Sequence, residues 1–248
     1  HCELFQADEI QVIIGDDSRD GVTGPEYCGI WSLTSKHRPF NAFGNSFAGL
    51  IPSELRRKSP AFEVLHETFC ALRREADEAY PVDARATFQV RGPYYIDHTL
   101  TFTDREDVRV LSTHQGHDRS RANFREVAWC CYMNCPDDPR LHFLSGDRWF
   151  RYISPRHGYG ASIAPAYVPD DELEVWTERI DRGGGRMAPF HWDRIKERFD
   201  QPLYYGRLGN MALILIFDTP RWLRFFCSPG DRAGDGGGKS LVPGKACP

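Results

Sequence analysis

No apolar run in this chain approaches the roughly 18 residues that a membrane-spanning helix needs, so no membrane partner is expected. An excess of basic charge is also missing. Lys and Arg number 31 against 35 Asp and Glu, a formal charge of −4, which offers no field for a polyanion and sets nucleic acid aside as a partner. No Gly-x-Ser-x-Gly elbow is present and no dinucleotide fingerprint follows a strand-like run, which removes hydrolase-fold esterase and nicotinamide chemistry. Internal repeats are absent. Helical patterning is confined to short pieces at Pro52 to Arg57 and His191 to Arg198, the latter charged and flanked by Pro189 and Pro202.

Cysteine is present but poorly spaced. The eight residues Cys2, Cys28, Cys70, Cys130, Cys131, Cys135, Cys227 and Cys247 are scattered, and Cys131 and Cys135 have no second pair at zinc-ribbon spacing. Buried free thiols are expected rather than a disulfide framework or structural zinc. The chain opens at His1 with no Met or signal sequence ahead of it, which leaves the compartment open between cytoplasmic and exported with the leader removed. An amino-terminal His also occurs in the copper-binding brace of lytic polysaccharide monooxygenases, but a leftover residue explains His1 more simply, and no cofactor is expected.

At 248 residues the chain has the length of a single all-β sandwich domain, expected over residues 1–227, with a Gly-rich segment over 228–248. Short β-rich runs bounded by Gly, Pro, Asn or Asp dominate. They fall at Glu9 to Ile14, Glu63 to Leu72, Ala86 to Val90, Tyr94 to Phe102, Val108 to Thr113, Val127 to Met133, Trp149 to Ile153, Leu203 to Tyr205, Met211 to Phe217 and Trp222 to Cys227. So many runs predict an antiparallel sandwich or barrel. Within Tyr94 to Phe102 the alternation puts Tyr94, Ile96, His98, Leu100 and Phe102 on an apolar face and Tyr95, Asp97, Thr99 and Thr101 on a polar one. His98 is therefore expected in the core, and Asp97 is the neighbour available for chemistry, unless Arg91 or Arg105 engages it in an ion pair.

Aromatic residues make up 13% of the chain, including six Trp and ten Tyr, and flat amphipathic rings are stacking platforms for pyranose faces as well as core residues. Several stretches, Gly29-Ile-Trp-Ser-Leu-Thr-Ser, Pro93-Tyr-Tyr-Ile-Asp, Val127 through Leu144, Arg156-His-Gly and Tyr204-Tyr-Gly-Arg-Leu-Gly-Asn-Met, stand in an order that resembles the galactose mutarotase-like superfamily. That resemblance implies an antiparallel β-supersandwich with a sugar cleft on a concave sheet. Aldose 1-epimerases of this kind carry a His-x-Tyr-Phe-Asn strand whose His protonates the ring oxygen. The matching stretch here is Cys130-Cys-Tyr-Met-Asn, with Cys130 in place of the acid and Tyr132 and Asn134 kept. A thiol, with an ordinary pKa of about 8.5 against about 6.5 for imidazole, is the poorer proton donor, so plain mutarotation is expected to be weak.

The site expectations follow. His157, in the small-residue turn Pro155-Arg-His-Gly-Tyr-Gly, and Asp97 are the acid-base candidates. Arg207, Tyr132, Asn134, Tyr205 and Trp192 are the substrate-binding candidates, Arg207 being suited to clamp a uronate carboxylate. His114 and His117 are weak metal candidates in a polar loop, and His66 and Glu67 are read as opposite-facing residues of one strand. The expected function is a carbohydrate-active protein that binds a mono- or oligosaccharide and performs acid-base chemistry of the epimerase, lyase or glycoside-hydrolase type. The alternatives are a non-catalytic carbohydrate-binding module and a metal-dependent oxidative enzyme. A homodimer is the expected assembly if an edge strand is left uncovered.

Overall fold

A computed structural model describes residues 1–16, 28–43, 51–52, 60–76, 82–105, 129–130, 138–153, 161–171, 193–218 and 223–226. Strand accounts for 64% of them and no helix is among the described elements, so the chain is an all-β, predominantly antiparallel protein. No described helix is long and apolar enough to cross a membrane. The chain divides into two compact units, His1–Ser120 with Arg125–Cys131, and Arg121–Phe124 with Tyr132–Pro248.

In the first unit, β1 (Cys2–Gln6), β2 (Ile10–Gly15) and β3 (Gly29–Ser35) form an antiparallel meander. The period-2 pattern of β2 buries Ile10, Val12 and Ile14 together with Phe5 and Ile30, while Gln11 stays exposed. Short strands β4 (Ile51–Pro52) and β9 (Trp129–Cys130) pair with each other. A second meander runs through β5 (Ala61–His66), β6 (Phe69–Arg74), β7 (Val82–Arg91) and β8 (Tyr95–Asp104). On β7 the buried Val82, Ala84, Ala86, Phe88 and Val90 alternate with more exposed polar residues. Register then carries the apolar row across the sheet, Cys70 facing Phe88 and Phe88 facing His98. The two meanders meet where the Glu9 amide donates to the Pro93 carbonyl at 2.9 Å.

In the second unit, β10 (Asp138–Ser145), β11 (Arg148–Tyr152), β14 (Leu203–Leu208) and β15 (Met211–Ile216) form an antiparallel sheet in the order β11-β10-β14-β15. One face buries Leu141, Phe143, Tyr204, Leu208 and Leu215. A smaller sheet sets β12 (Ala161–Ile163) between β13 (Asp193–Arg194) and β16 (Phe225–Phe226). Phe225 of β16 packs on Phe199 at 4.0 Å between ring centres and edge-on against Tyr204 at 4.9 Å, so the two sheets of this unit share an aromatic core. The turn joining β10 to β11 passes through Gly146 at φ 60°, a left-handed conformation in which a Cβ would meet no atom within 4 Å. Gly146→Ala is thus a pure backbone test, and a denaturant melt should show a loss of about 1 kcal/mol.

The structure corrects the sequence reading in three places. His191 to Arg198 is not a helix in its described part: Asp193 and Arg194 pair in parallel with Ala161 and Ser162, and Arg198 donates to the Val168 carbonyl at 3.0 Å. Tertiary pairing overrides the local pattern there. Pro52, expected to start a helix, lies in β4, and residues 53–57 are outside the described set. Glu63 to Leu72 is two strands rather than one, with Glu67 and Thr68 forming the turn, so His66 and Glu67 are not neighbours along one strand. Val108 to Thr113 and the segment 228–248 lie outside the described residues.

Candidate functional site

The face of the β11-β10-β14-β15 sheet opposite its aromatic core carries the densest grouping of chemistry-bearing side chains among the described residues. His142 on β10 is the direct partner of Arg151 on β11 and of Tyr205 on β14, and Tyr205 is the partner of Ile214 on β15. Directly paired residues point to the same face, so these four form one row across the sheet. Leu141 and Phe143, flanking His142 in sequence, point the other way and are fully buried.

The imidazole of His142 and the ring of Tyr205 stack with centres 4.6 Å apart and planes 9° from parallel. Trp149 meets Tyr205 edge-on at 5.3 Å, and Trp149 is 56% exposed. The result is a stepped aromatic surface whose base is a buried histidine and whose rim is open. Beside it, the guanidinium of Arg140 grips the Asp138 carboxylate with two donors, Nε to Oδ1 at 2.6 Å and Nη2 to Oδ2 at 3.0 Å. Asp138 Oδ2 also lies 3.5 Å from His142 Nε2, longer than an ordinary hydrogen bond. Arg207 stands opposite Asp138 in the β10–β14 register and is exposed.

The electrostatics follow from this packing. Burial pushes the His142 imidazole below its usual value, and the nearby Arg140 and Arg207 add to that, while Asp138 and the Tyr205 backbone work against it. The ring is accordingly neutral at neutral pH. Burial acts to raise the Asp138 carboxyl, but hydrogen bonds and charge from Arg140 outweigh it and hold the group below its ordinary range. Nδ1 of His142 is enclosed and makes no hydrogen bond among the described residues. With its Nε2 toward a carboxylate and its Nδ1 enclosed, the ring is held in place as a packed platform rather than presented to solvent. A ligand on this face meets Tyr205 and Trp149 first.

Of the substrate-binding candidates named from sequence, Tyr205 and Arg207 share this face. Asp97 belongs to the first unit, on the exposed face of β8, where Arg91 Nη2 lies 2.8 Å from its carboxylate. Arg105 pairs instead with Asp83 at 3.0 Å. His157, Tyr132, Asn134, Trp192, His114 and His117 lie outside the described residues. His98 takes the core position that alternation gave it, edge-on to Phe88 at 4.7 Å, and burial lowers its pKa to about 4. Cys70 is a buried free thiol, Cys2 an exposed one, and Cys28 is likewise buried; burial raises Cys70 to about 12, so it is inert as a nucleophile. Among the described residues no group of three or more His, Cys, Asp and Glu side chains is placed to hold a metal ion.

The sequence reading missed His142, Asp138 and Trp149. The signal for His142 was present in Leu141-His-Phe143, where a polar ring between two apolar residues must face the other side of a strand. Searches of family models, curated proteins and solved structures give no match for this chain.

Proposed function

We propose that the chain is a carbohydrate-active protein of the galactose mutarotase-like kind and that the open face of the β11-β10-β14-β15 sheet is its saccharide surface. The observation that carries this reading is the Trp149–Tyr205–His142 aromatic step flanked by Arg140, Arg207 and Asp138. Pyranose rings present apolar C–H faces and a belt of hydroxyls. An exposed indole and a half-buried phenol offer the first a flat partner, and the charged side chains around them offer the second hydrogen bonds. The antiparallel strands of both units are in keeping with the supersandwich that the sequence resemblance implies. The acid-base chemistry implied by the same resemblance needs a proton carrier at the surface. Among the described residues of this face His142 is buried beneath Tyr205 and serves as its platform, and His157 remains the acid-base candidate from the sequence.

Isothermal titration against a panel of mono- and oligosaccharides tests the reading. The wild-type protein should bind at least one class, and Tyr205→Ala should weaken it about tenfold, the equivalent of the ~1.5 kcal/mol that a well-placed aromatic contact supplies. Unchanged affinity in that variant would move the saccharide surface elsewhere.

A further inference from the structure

The four strands of this sheet carry four arginines, Arg140, Arg148, Arg151 and Arg207, against one aspartate, Asp138, in a chain whose net charge is −4. The imbalance is not spread evenly. Arg148 is paired with Ser145 and shares the face of Phe150, its guanidinium 5.7 Å from that ring, so it belongs to the opposite side of the sheet. Arg140 is committed to Asp138 by its two-point contact. Arg151 and Arg207 remain, both exposed and both without an acidic partner among the described residues. Register places Arg151 directly beside His142 from β11, while Arg207 follows Tyr205 by two positions on the same face of β14. Two uncommitted guanidinium groups therefore bracket the aromatic step from its two sides.

From this placement we infer that the surface selects an anionic saccharide, one bearing a carboxylate or a sulfate ester, with Arg151 and Arg207 as its specificity-determining residues. The inference rests on the saccharide reading above and narrows it. A guanidinium reads a planar carboxylate or a sulfate through paired N–H donors, and such charge-assisted bonds are stronger than those to neutral hydroxyls. The one carboxylate on the face does not cancel this field, because Arg140 already neutralises it. The buried and neutral His142 adds no competing charge, and its stacking fixes the Tyr205 ring between the two cations.

The test is titration of the full chain with three matched oligosaccharide series: uronate-bearing, sulfated and neutral. The uronate or the sulfated series should bind at least about tenfold tighter than the neutral one, as one net charge-assisted hydrogen bond would give. Raising the salt from about 50 to about 500 mM should shrink that gap, since exposed charges are screened over a shorter distance. The double variant Arg151→Gln with Arg207→Gln should erase the preference, bringing the charged series down to the affinity of the neutral one. Which charged series wins identifies the anionic group. Equal binding of charged and neutral series by the wild-type protein overturns this inference and leaves the saccharide reading standing. Binding to none of the three overturns both, and a preference that survives the double variant assigns it to residues other than these two.

Discussion

Phe143→Ala should cost about 3–5 kcal/mol of stability, the range for removing a fully buried aromatic ring whose surroundings cannot collapse. Phe143 is completely buried, faces Tyr204 across the β10–β14 ladder and packs on Phe150 with ring centres 6.1 Å apart. Ile216 on the same sheet is 73% exposed, so Ile216→Ala should stay within about 0.5 kcal/mol of wild type. Urea melts of the two variants side by side check the assignment of the faces. Comparable losses would mean that the side assigned to ligand is instead packed.

Acidification should destabilise the protein well before its carboxylates titrate. His98 has its pKa lowered from 6.5 to about 4 by burial in the core row of the first unit. Between those values the unfolded chain binds a proton that the folded chain refuses, so stability rises with pH across the window. The contribution is complete above about pH 6.5 and is lost as pH falls toward 4, a total on the order of 3 kcal/mol at ~1.4 kcal/mol per unit. His142, shifted in the same direction, adds to the loss. The shifts of Glu9 and Asp138 act only near or below the ordinary carboxylate range, so among the described residues the slope between pH 6.5 and 5 belongs to histidine. Thermal melts from pH 7.5 to 4.5 should show it, and His98→Leu should flatten the first unit's share. An equally steep profile in that variant would place the responsible group elsewhere.

Much of the strand content was legible because alternation is a local signal. Tyr95 through Leu100 faces as the pattern predicts, with Ile96, His98 and Leu100 half-buried and Asp97 outside, whereas Tyr94 and Phe102, expected on the same apolar face, are exposed at the two ends of the run. The reading weakened where tertiary partners decide the outcome. Asp193 and Arg194 form a strand only because Ala161 and Ser162 lie beside them, and no pattern in a charged run reveals that. Turn chemistry was underweighted at Glu67 and Thr68, where the Gln89 side chain donates to the Thr68 hydroxyl at 2.7 Å across the hairpin. The candidate surface was half visible. Tyr205 and Arg207 stand in one motif, whereas their partner His142 is more than sixty positions away, brought beside Tyr205 by a strand register that composition and spacing do not encode.

The register between β10 and β14 shifts between Asp138 and His142, where four positions on β10 span only two on β14. The excess is an even number, so the inside-outside parity of β10 is the same on both sides of the irregularity. Drift in this strand is therefore constrained arithmetically. Gain or loss of a single residue between Asp138 and His142 would force a choice between turning Leu141 and Phe143 out to water and separating the imidazole from its carboxylate. A change by two keeps Leu141 and Phe143 facing inward, so the fold should tolerate insertion or deletion of two residues here better than of one, as a urea melt of the two length variants would show.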